Sequence, residues 1–206
     1  MALVKASGQS PLTRTAPESR DLATLLADLT GEEPSVRRAA ARGLAAYPEA
    51  AMAACDRLEV EGSPSVQAVL FTTLIHLQSP AVAGRLAALL RSEDAPLRNA
   101  AIEALQEMPD AVAPHFKNLL SDGDSDVRIF AVNILGALRH AQAPEWLAGV
   151  VRADQHVNVC AAAVDALAEI GGPEALEDLD ALRHRFHGNT FMEFAIDAAI
   201  RRIEGQ

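Results

Sequence analysis

Apolar residues recur along this chain of 206 residues with a helical spacing, and the pattern repeats every 30 to 33 residues. Each copy is a ten-residue segment that ends on leucine, or on isoleucine in the last copy. An aliphatic residue or methionine stands eight positions earlier, with small residues between. Offsets of 0, +4 and +8 form one stripe along a helix of 3.6 residues per turn. The segments are 35–44, 65–74, 96–105, 126–135, 158–167 and 191–200.

A second, shorter apolar segment precedes each of these helices, and short stretches rich in proline, glycine and acidic residues separate the two. One helix–turn–helix unit cannot bury its apolar stripe alone, so neighbouring units must stack. The sequence therefore predicts an all-α fold, a right-handed α-solenoid of about six helix–turn–helix repeats. The predicted repeats are approximately 21–47, 48–77, 78–108, 109–139, 140–170 and 171–203, after a disordered N-terminal tail over 1–20.

The segment 123–135, GDSDVRIFAVNIL, shows the repeat most completely, with Asp-x-Asp-Val-Arg followed by a closing leucine. An aliphatic residue followed by arginine also occurs at 36–37 and 97–98, whereas Gln67, Cys160 and Glu193 replace the arginine in the other copies. This pattern resembles the HEAT repeat, most closely the short bacterial type that also occurs in phycobilisome-lyase-like proteins. The resemblance covers about nine-tenths of the chain and implies a helical repeat fold.

The resemblance also implies where a partner would bind, because second helices line the concave face of HEAT-like arrays. Side chains two and six positions after the first aliphatic residue are then expected to point outward. They form a predicted partner-binding surface, basic toward the N-terminal end and acidic toward the C-terminal end, with an ordinary solvated face as the alternative. Its residues are Arg38, Arg42, Thr72, Asn99, Glu103, Ile129, Asn133 and Asp165. The nearly all-apolar segment 69–77 is either core or a further exposed patch.

The charge of the chain argues against nucleic acid as a partner. The net charge is −10, and the first twenty residues hold three cations and one anion, so residues 21–206 carry −12. Phosphate neutralisation supplies most non-specific nucleic-acid affinity, so the sign is unfavourable. A local basic stripe of Arg37, Arg38 and Arg42 is the exception. The excess of arginine over lysine is attributed to codon composition and assigned no role.

No residue set for catalysis, a cofactor or a metal is predicted. Among the six histidines only His184 and His187 share a helical spacing, and no third ligand stands near them. The His-Glu pairs of HEAT-like di-iron hydroxylases are absent, as are phosphate-binding and nucleophile-elbow motifs. Cys55 and Cys160 stand among alanines and are interpreted as small buried residues. They are too few and too far apart for a disulfide scaffold, which favours a reducing, cytoplasmic location.

We therefore expect a non-enzymatic protein–protein interaction adaptor or regulatory scaffold that presents a concave helical surface to a partner protein. The resemblance leaves two alternatives open. One is a chromophore-lyase-like or cofactor-maturation factor, which requires a tetrapyrrole-sized pocket. The other is a nucleic-acid-binding relative, which the acidic charge disfavours. No apolar run is long enough for a membrane span.

Overall fold

The computed structural model describes residues 20–138 and 140–205, and every regular element within them is helical. The predicted tail over 1–20 therefore lies outside the described residues apart from Arg20. The thirteen α-helices of the described part are α1 (Leu22–Asp28), α2 (Pro34–Gly43), α3 (Ala51–Val60), α4 (Pro64–Leu77), α5 (Pro80–Ala88), α6 (Ala95–Gln106), α7 (Pro109–Val112), α8 (Phe116–Leu119), α9 (Ser125–Ala137), α10 (Ala143–Ala153), α11 (Val157–Ile170), α12 (Leu176–Arg185) and α13 (Thr190–Glu204). Short 3₁₀ turns extend or link several of them.

The helices alternate between two layers, as expected for an α-solenoid. Second helices form one layer in which α2, α4, α6, α9, α11 and α13 pack against each other in chain order. The first helices lie behind them, with α3 against α5, α5 against α7 and α10 against α12. Each predicted repeat range holds one such pair, with α7 and α8 together forming the first helix of the fourth unit. The predicted all-α solenoid class is confirmed.

Local sequence signals set the ends of these helices. Proline occupies the first turn of α2, α4 and α5, where its missing N–H costs least. The side chains of Asp21, Ser79, Asp94 and Asn189 accept hydrogen bonds from backbone N–H groups in the first turns of α1, α5, α6 and α13. Helix α11 ends at Ile170, directly before two consecutive glycines, Gly171 and Gly172.

The apolar stripes meet in one continuous core between the two layers. The apolar segment 69–77 belongs to this core, since Leu70, Phe71 and Leu74 are buried and Val69 and Ile75 are packed against them. Within this segment only Thr72 and His76 are exposed. The alternative of an exposed patch in this segment is therefore wrong.

The first helix of the fourth unit is broken. Helix α7 ends at Val112, a 3₁₀ turn spans Ala113–His115, and α8 follows. Pro114 lies in this turn, and its ring nitrogen cannot donate the hydrogen bond that a continuous helix requires. The layer of first helices is consequently irregular between the fourth and fifth units.

The residue after the first aliphatic position of each second helix binds the turn of its own unit. In five units this side chain donates a hydrogen bond to the backbone carbonyl six residues earlier. The pairs are Arg37 to Gly31 (3.0 Å), Gln67 to Glu61 (2.7 Å), Arg98 to Ser92 (2.7 Å), Arg128 to Asp122 (2.8 Å) and Cys160 to Asp154 (3.2 Å). In the sixth unit the carboxylate of Glu193 accepts from the N–H of Gly188 (3.0 Å). Departures from arginine at this position thus preserve a bond to the turn.

Arginine side chains also cross every boundary between units to reach a carboxylate of the neighbouring unit. The pairs are Arg37–Glu61, Arg85–Asp56 with Arg85–Glu59, Arg91–Asp122, Arg128–Asp154, Arg152–Asp178 and Arg202–Glu169. Guanidinium groups suit this task because their planar fork binds a carboxylate bidentately. The arginine excess, which sequence reasoning left without a role, is therefore structural.

The pair between the first two units is buried. Glu61 has a fully covered side chain and Arg37 one that is 10% exposed. The guanidinium donates from Nε and Nη2 to the two carboxylate oxygens, each at 2.8 Å. Arg57 (2.9 Å) and the N–H of Ser63 (2.8 Å) also donate to this carboxylate. The hydrogen bonds from Arg37 are the largest cause that lowers the pKa of Glu61 to about 2.

Candidate functional site

The predicted partner-binding residues lie on the outer side of the second helices. Seven of the eight are exposed, and we call them the second-helix surface: Arg38, Arg42, Thr72, Asn99, Glu103, Asn133 and Asp165. The eighth, Ile129, is half-buried and packs against the core, so it is less accessible than predicted. The offsets of +2 and +6 along an amphipathic helix account for this placement.

Three charged residues of this surface have no ion-pair partner among residues 20–138 and 140–205. Arg42 lies on α2, Glu103 on α6 and Asp165 on α11, and within the described part of the chain no opposite charge lies within 4 Å of them. Arg38 is engaged weakly, by a hydrogen bond of 3.3 Å from its Nη1 to the hydroxyl of Ser65. The surface thus keeps charges of both signs, in a fixed order, available to solvent.

A shallow depression of about 390 Å³ lies on the same surface between α9 and α11. Asn133, Asp165 and Glu169 contribute its polar groups, and Gly136 lies at its base. A Cβ atom on Gly136 would lie 3.1 Å from the Cβ of Ala166. Glycine therefore allows the two helices to approach closely, which fixes the relative positions of the side chains around the depression.

The predicted basic stripe on the first unit includes one arginine that is not exposed, so the prediction is wrong for that residue. Arg37 is buried against Glu61 and the turn carbonyls, so it is unavailable to a phosphate. Only Arg38 and Arg42 remain exposed on α2. The second-helix surface therefore presents two cations at this end. Two cations neutralise few phosphates, so they add little affinity for nucleic acid.

Sequence reasoning missed Phe194, which is 70% exposed on α13. It stands two positions after Met192, so the +2 offset that located Arg38 would have found it. Phe191, one turn earlier on the same face, is 59% exposed. Exposed large apolar side chains that lie together are typical of interaction sites, so these two residues extend the candidate surface at its C-terminal end.

Both cysteines are buried thiols, as their positions among alanines predicted. Burial raises the pKa of Cys55 to about 11 and also raises the pKa of Cys160. Nucleophilic or redox chemistry requires the thiolate, which these environments disfavour. Over 20–138 and 140–205, no three histidine, cysteine or acidic side chains form a cluster that could hold a metal ion. In the same ranges, no helix combines the length and the apolar character that crossing a membrane requires.

Residues 112–187 match the sequence profile of HEAT repeats, a stretch that runs from the end of α7 in the fourth unit to just beyond the end of α12. This part of the chain therefore consists of HEAT-like repeats. The matched stretch contains the Asp-x-Asp-Val-Arg segment and the fifth unit complete. HEAT-like helix pairs of the same design occupy the rest of the described chain.

Comparison with solved structures gives weak similarities across most of the chain. Human deoxyhypusine hydroxylase in complex with glycerol is 22% identical, with a TM-score of 0.48 over 89% of this chain and 74% of that one. The YibA protein of Escherichia coli is 16% identical, with a TM-score of 0.41 over 87% and 81%. The complex of CpcE and CpcF of phycocyanin lyase from Nostoc sp. PCC7120 is 18% identical, with a TM-score of 0.40 over 96% and 100%. No curated protein sequence matches the chain.

Proposed function

We propose that this HEAT-like repeat protein is a non-enzymatic scaffold that binds a partner protein through its second-helix surface. The observation that carries the proposal is the series of exposed charges, Arg42, Glu103 and Asp165, without ion-pair partners among the described residues. Elsewhere in the chain arginines and carboxylates pair extensively. Charges kept free at regular intervals along one surface suit recognition of a partner with the opposite sequence of charges.

The second-helix surface is large enough for a stable complex. Helix α4 has 14 residues, which gives a length of about 20 Å at 1.5 Å per residue. Six second helices packed at about 10 Å intervals extend over about 60 Å. The resulting area of about 1,200 Å² exceeds the ~800 Å² that each partner buries in a standard interface. A protein ligand can therefore bind here without a deep pocket.

The charge order specifies the partner's chemistry. A bound segment would place acidic groups opposite Arg38 and Arg42 and basic groups opposite Glu103 and Asp165. Apolar side chains of the partner would contact Phe194 at the far end. Opposite charges accelerate encounter and reject partners of the wrong sign, while the apolar contact supplies affinity.

Affinity capture with quantitative mass spectrometry tests this proposal. The variants Arg42→Glu and Glu103→Lys/Asp165→Lys reverse charges on the second-helix surface. The control Glu93→Lys/Glu177→Lys produces the same change in net charge as Glu103→Lys/Asp165→Lys, on a turn and a first helix where both carboxylates are exposed. Circular dichroism verifies that all variants fold.

We expect at least one protein that the wild type and the control capture equally and that a second-helix variant loses. The proposal is wrong if every captured protein is retained by both second-helix variants. It is equally wrong if no protein is captured reproducibly by the wild type.

A further inference from the structure

A groove of about 850 Å³ is lined by residues of α8, α10 and the turns that follow them, with Arg128 of α9. It runs between α8 and α10, the first helices of the fourth and fifth units, where the break at Pro114 makes the layer irregular. Leu120, Trp146, Gly149 and Val150 provide its apolar lining, with Lys117 and His156 among its polar residues. Its volume falls in the range of about 300–1,000 Å³ that is typical of small-molecule sites.

An aromatic surface is available in the groove. Trp146 is the single tryptophan of the sequence, and its side chain is half-buried. Phe116 and His140 hold the indole, with ring centroids 5.4 Å and 4.8 Å away. His140 is stacked on the indole, so a flat ligand in the groove would contact the part of the ring that remains exposed.

Gly149 keeps the groove open. It lies inside α10, where glycine is unfavourable compared with alanine. Close packing does not require it, because a Cβ atom there would meet only Nη2 of Arg152, at 3.9 Å. Gly136 differs in this respect, since a neighbouring helix occupies the space beside it. The small side chain at position 149 thus preserves empty volume rather than a helix contact.

The charges around the groove leave one cation available. Asp122 and Asp154 pair with Arg91 and Arg128, and Arg152 is shared between Glu145 and Asp178. Lys117 is exposed, and no carboxylate of residues 20–138 or 140–205 lies within 4 Å of its ammonium group. Nδ1 of His156, also at the groove, lacks a hydrogen-bond partner within the described chain although the atom is buried.

We propose that this groove is a binding site for a small, planar aromatic anion. The aromatic part would pack against the exposed part of Trp146 beside Gly149, and the carboxylate, sulfonate or phosphate would pair with Lys117. The net charge of −10 does not oppose such a ligand, because at physiological salt charges beyond about 8–10 Å are largely screened. This proposal is independent of the scaffold function, since no residue that lines the groove belongs to the second-helix surface.

Two fluorescent probes with the same ring systems test the proposal. 1-Anilinonaphthalene-8-sulfonate carries an anionic group, and N-phenyl-1-naphthylamine does not. Quenching of Trp146 and the gain in probe emission report binding at the groove directly, because the chain has no other tryptophan. We expect saturable binding of the sulfonate at one site per chain. Lys117→Gln should weaken it about tenfold, the effect of losing one charge-assisted hydrogen bond.

Two further variants separate groove filling from loss of folding. Gly149→Leu fills the groove and should abolish sulfonate binding, whereas Ala88→Leu adds a leucine at an exposed position of α5 and should leave binding unchanged. Gly149→Ala should raise the urea midpoint, since alanine favours the helix and meets no obstacle.

The neutral probe should bind more weakly than the sulfonate and should not respond to Lys117→Gln. The proposal is overturned if the wild type shows no saturable sulfonate binding with tryptophan quenching. Equal binding by folded Gly149→Leu protein, or equal sensitivity of both probes to Lys117→Gln, would also overturn it.

Discussion

Replacing Glu61 with glutamine removes the carboxylate that neutralises Arg37 inside the boundary between the first two units. The guanidinium would then be buried without a counter-charge, with the glutamine amide oxygen and the carbonyls of Gly31 and Glu32 as its remaining acceptors. Removing one partner of a buried ion pair lowers the free energy of unfolding by about 3–5 kcal/mol. The pKa of Glu61, lowered from 4.5 to about 2, independently gives a value on the order of 3 kcal/mol. Because two carbonyl contacts survive, we expect Glu61→Gln to lower the free energy of unfolding by about 2–4 kcal/mol.

The pH dependence of this loss has a defined sign. The folded-state pKa of Glu61 lies below the unfolded value, so the ionised carboxylate contributes its full stability above about pH 4.5. That contribution declines as the pH falls from about 4.5 to about 2 and the carboxylate becomes protonated. The difference in free energy of unfolding between the wild type and Glu61→Gln should therefore shrink across this window.

Urea titrations at several pH values measure both effects. Circular dichroism follows the whole array, and Trp146 fluorescence reports the fifth unit separately, since repeat arrays can unfold in parts. The control is Glu145→Gln, because Glu145 is 73% exposed and its pair with Arg152 (2.6 Å) should contribute less than about 1 kcal/mol. The reasoning is refuted if Glu61→Gln costs no more than Glu145→Gln, or if its cost is independent of pH.

Three further outcomes are expected. Thr73→Val removes the hydrogen bond of 2.9 Å to the carbonyl of Ala41 across the first boundary, and urea titration should show a loss of about 1–2 kcal/mol. Gly136→Val places a branched side chain against α11 and should lower stability by about 1–3 kcal/mol, visible as a reduced melting temperature. Cys55, whose pKa is raised to about 11 by burial, should resist a thiol-specific disulfide reagent at pH 8 until urea is added, and rapid labelling of the folded protein would contradict its burial.

The repeat length and the exposure of the second-helix surface could be predicted from the sequence because they depend on local periodicity. The offset that buries Val66 exposes Thr72 on the same helix, whatever the neighbouring unit contains. The prolines and glycines at the turns favour turn conformations whatever residues surround them. For these features, contacts between units only reinforce what each segment already favours.

The remaining features depend on which residues of different units meet. Arg37 and Arg38 are adjacent arginines, and their separate roles follow from Glu61, a carboxylate 24 residues away that no local pattern selects. The groove depends on how far α10 lies from α8, which follows from the irregular packing around Pro114. Exposure of Phe194 could have been anticipated from its offset, yet aromatic residues at helical spacing are usually core.

The bond from each second helix to its own turn has a consequence for how such chains can grow. Its acceptor in five units is a backbone carbonyl, so a duplicated segment brings that acceptor with it regardless of sequence. Only a donor of sufficient reach has to follow the first aliphatic residue, and guanidinium, amide and thiol groups all meet that condition here. A gene duplication can therefore add a unit whose turn is already fixed, and later mutations at this position alter the link to the next unit while the new turn stays intact.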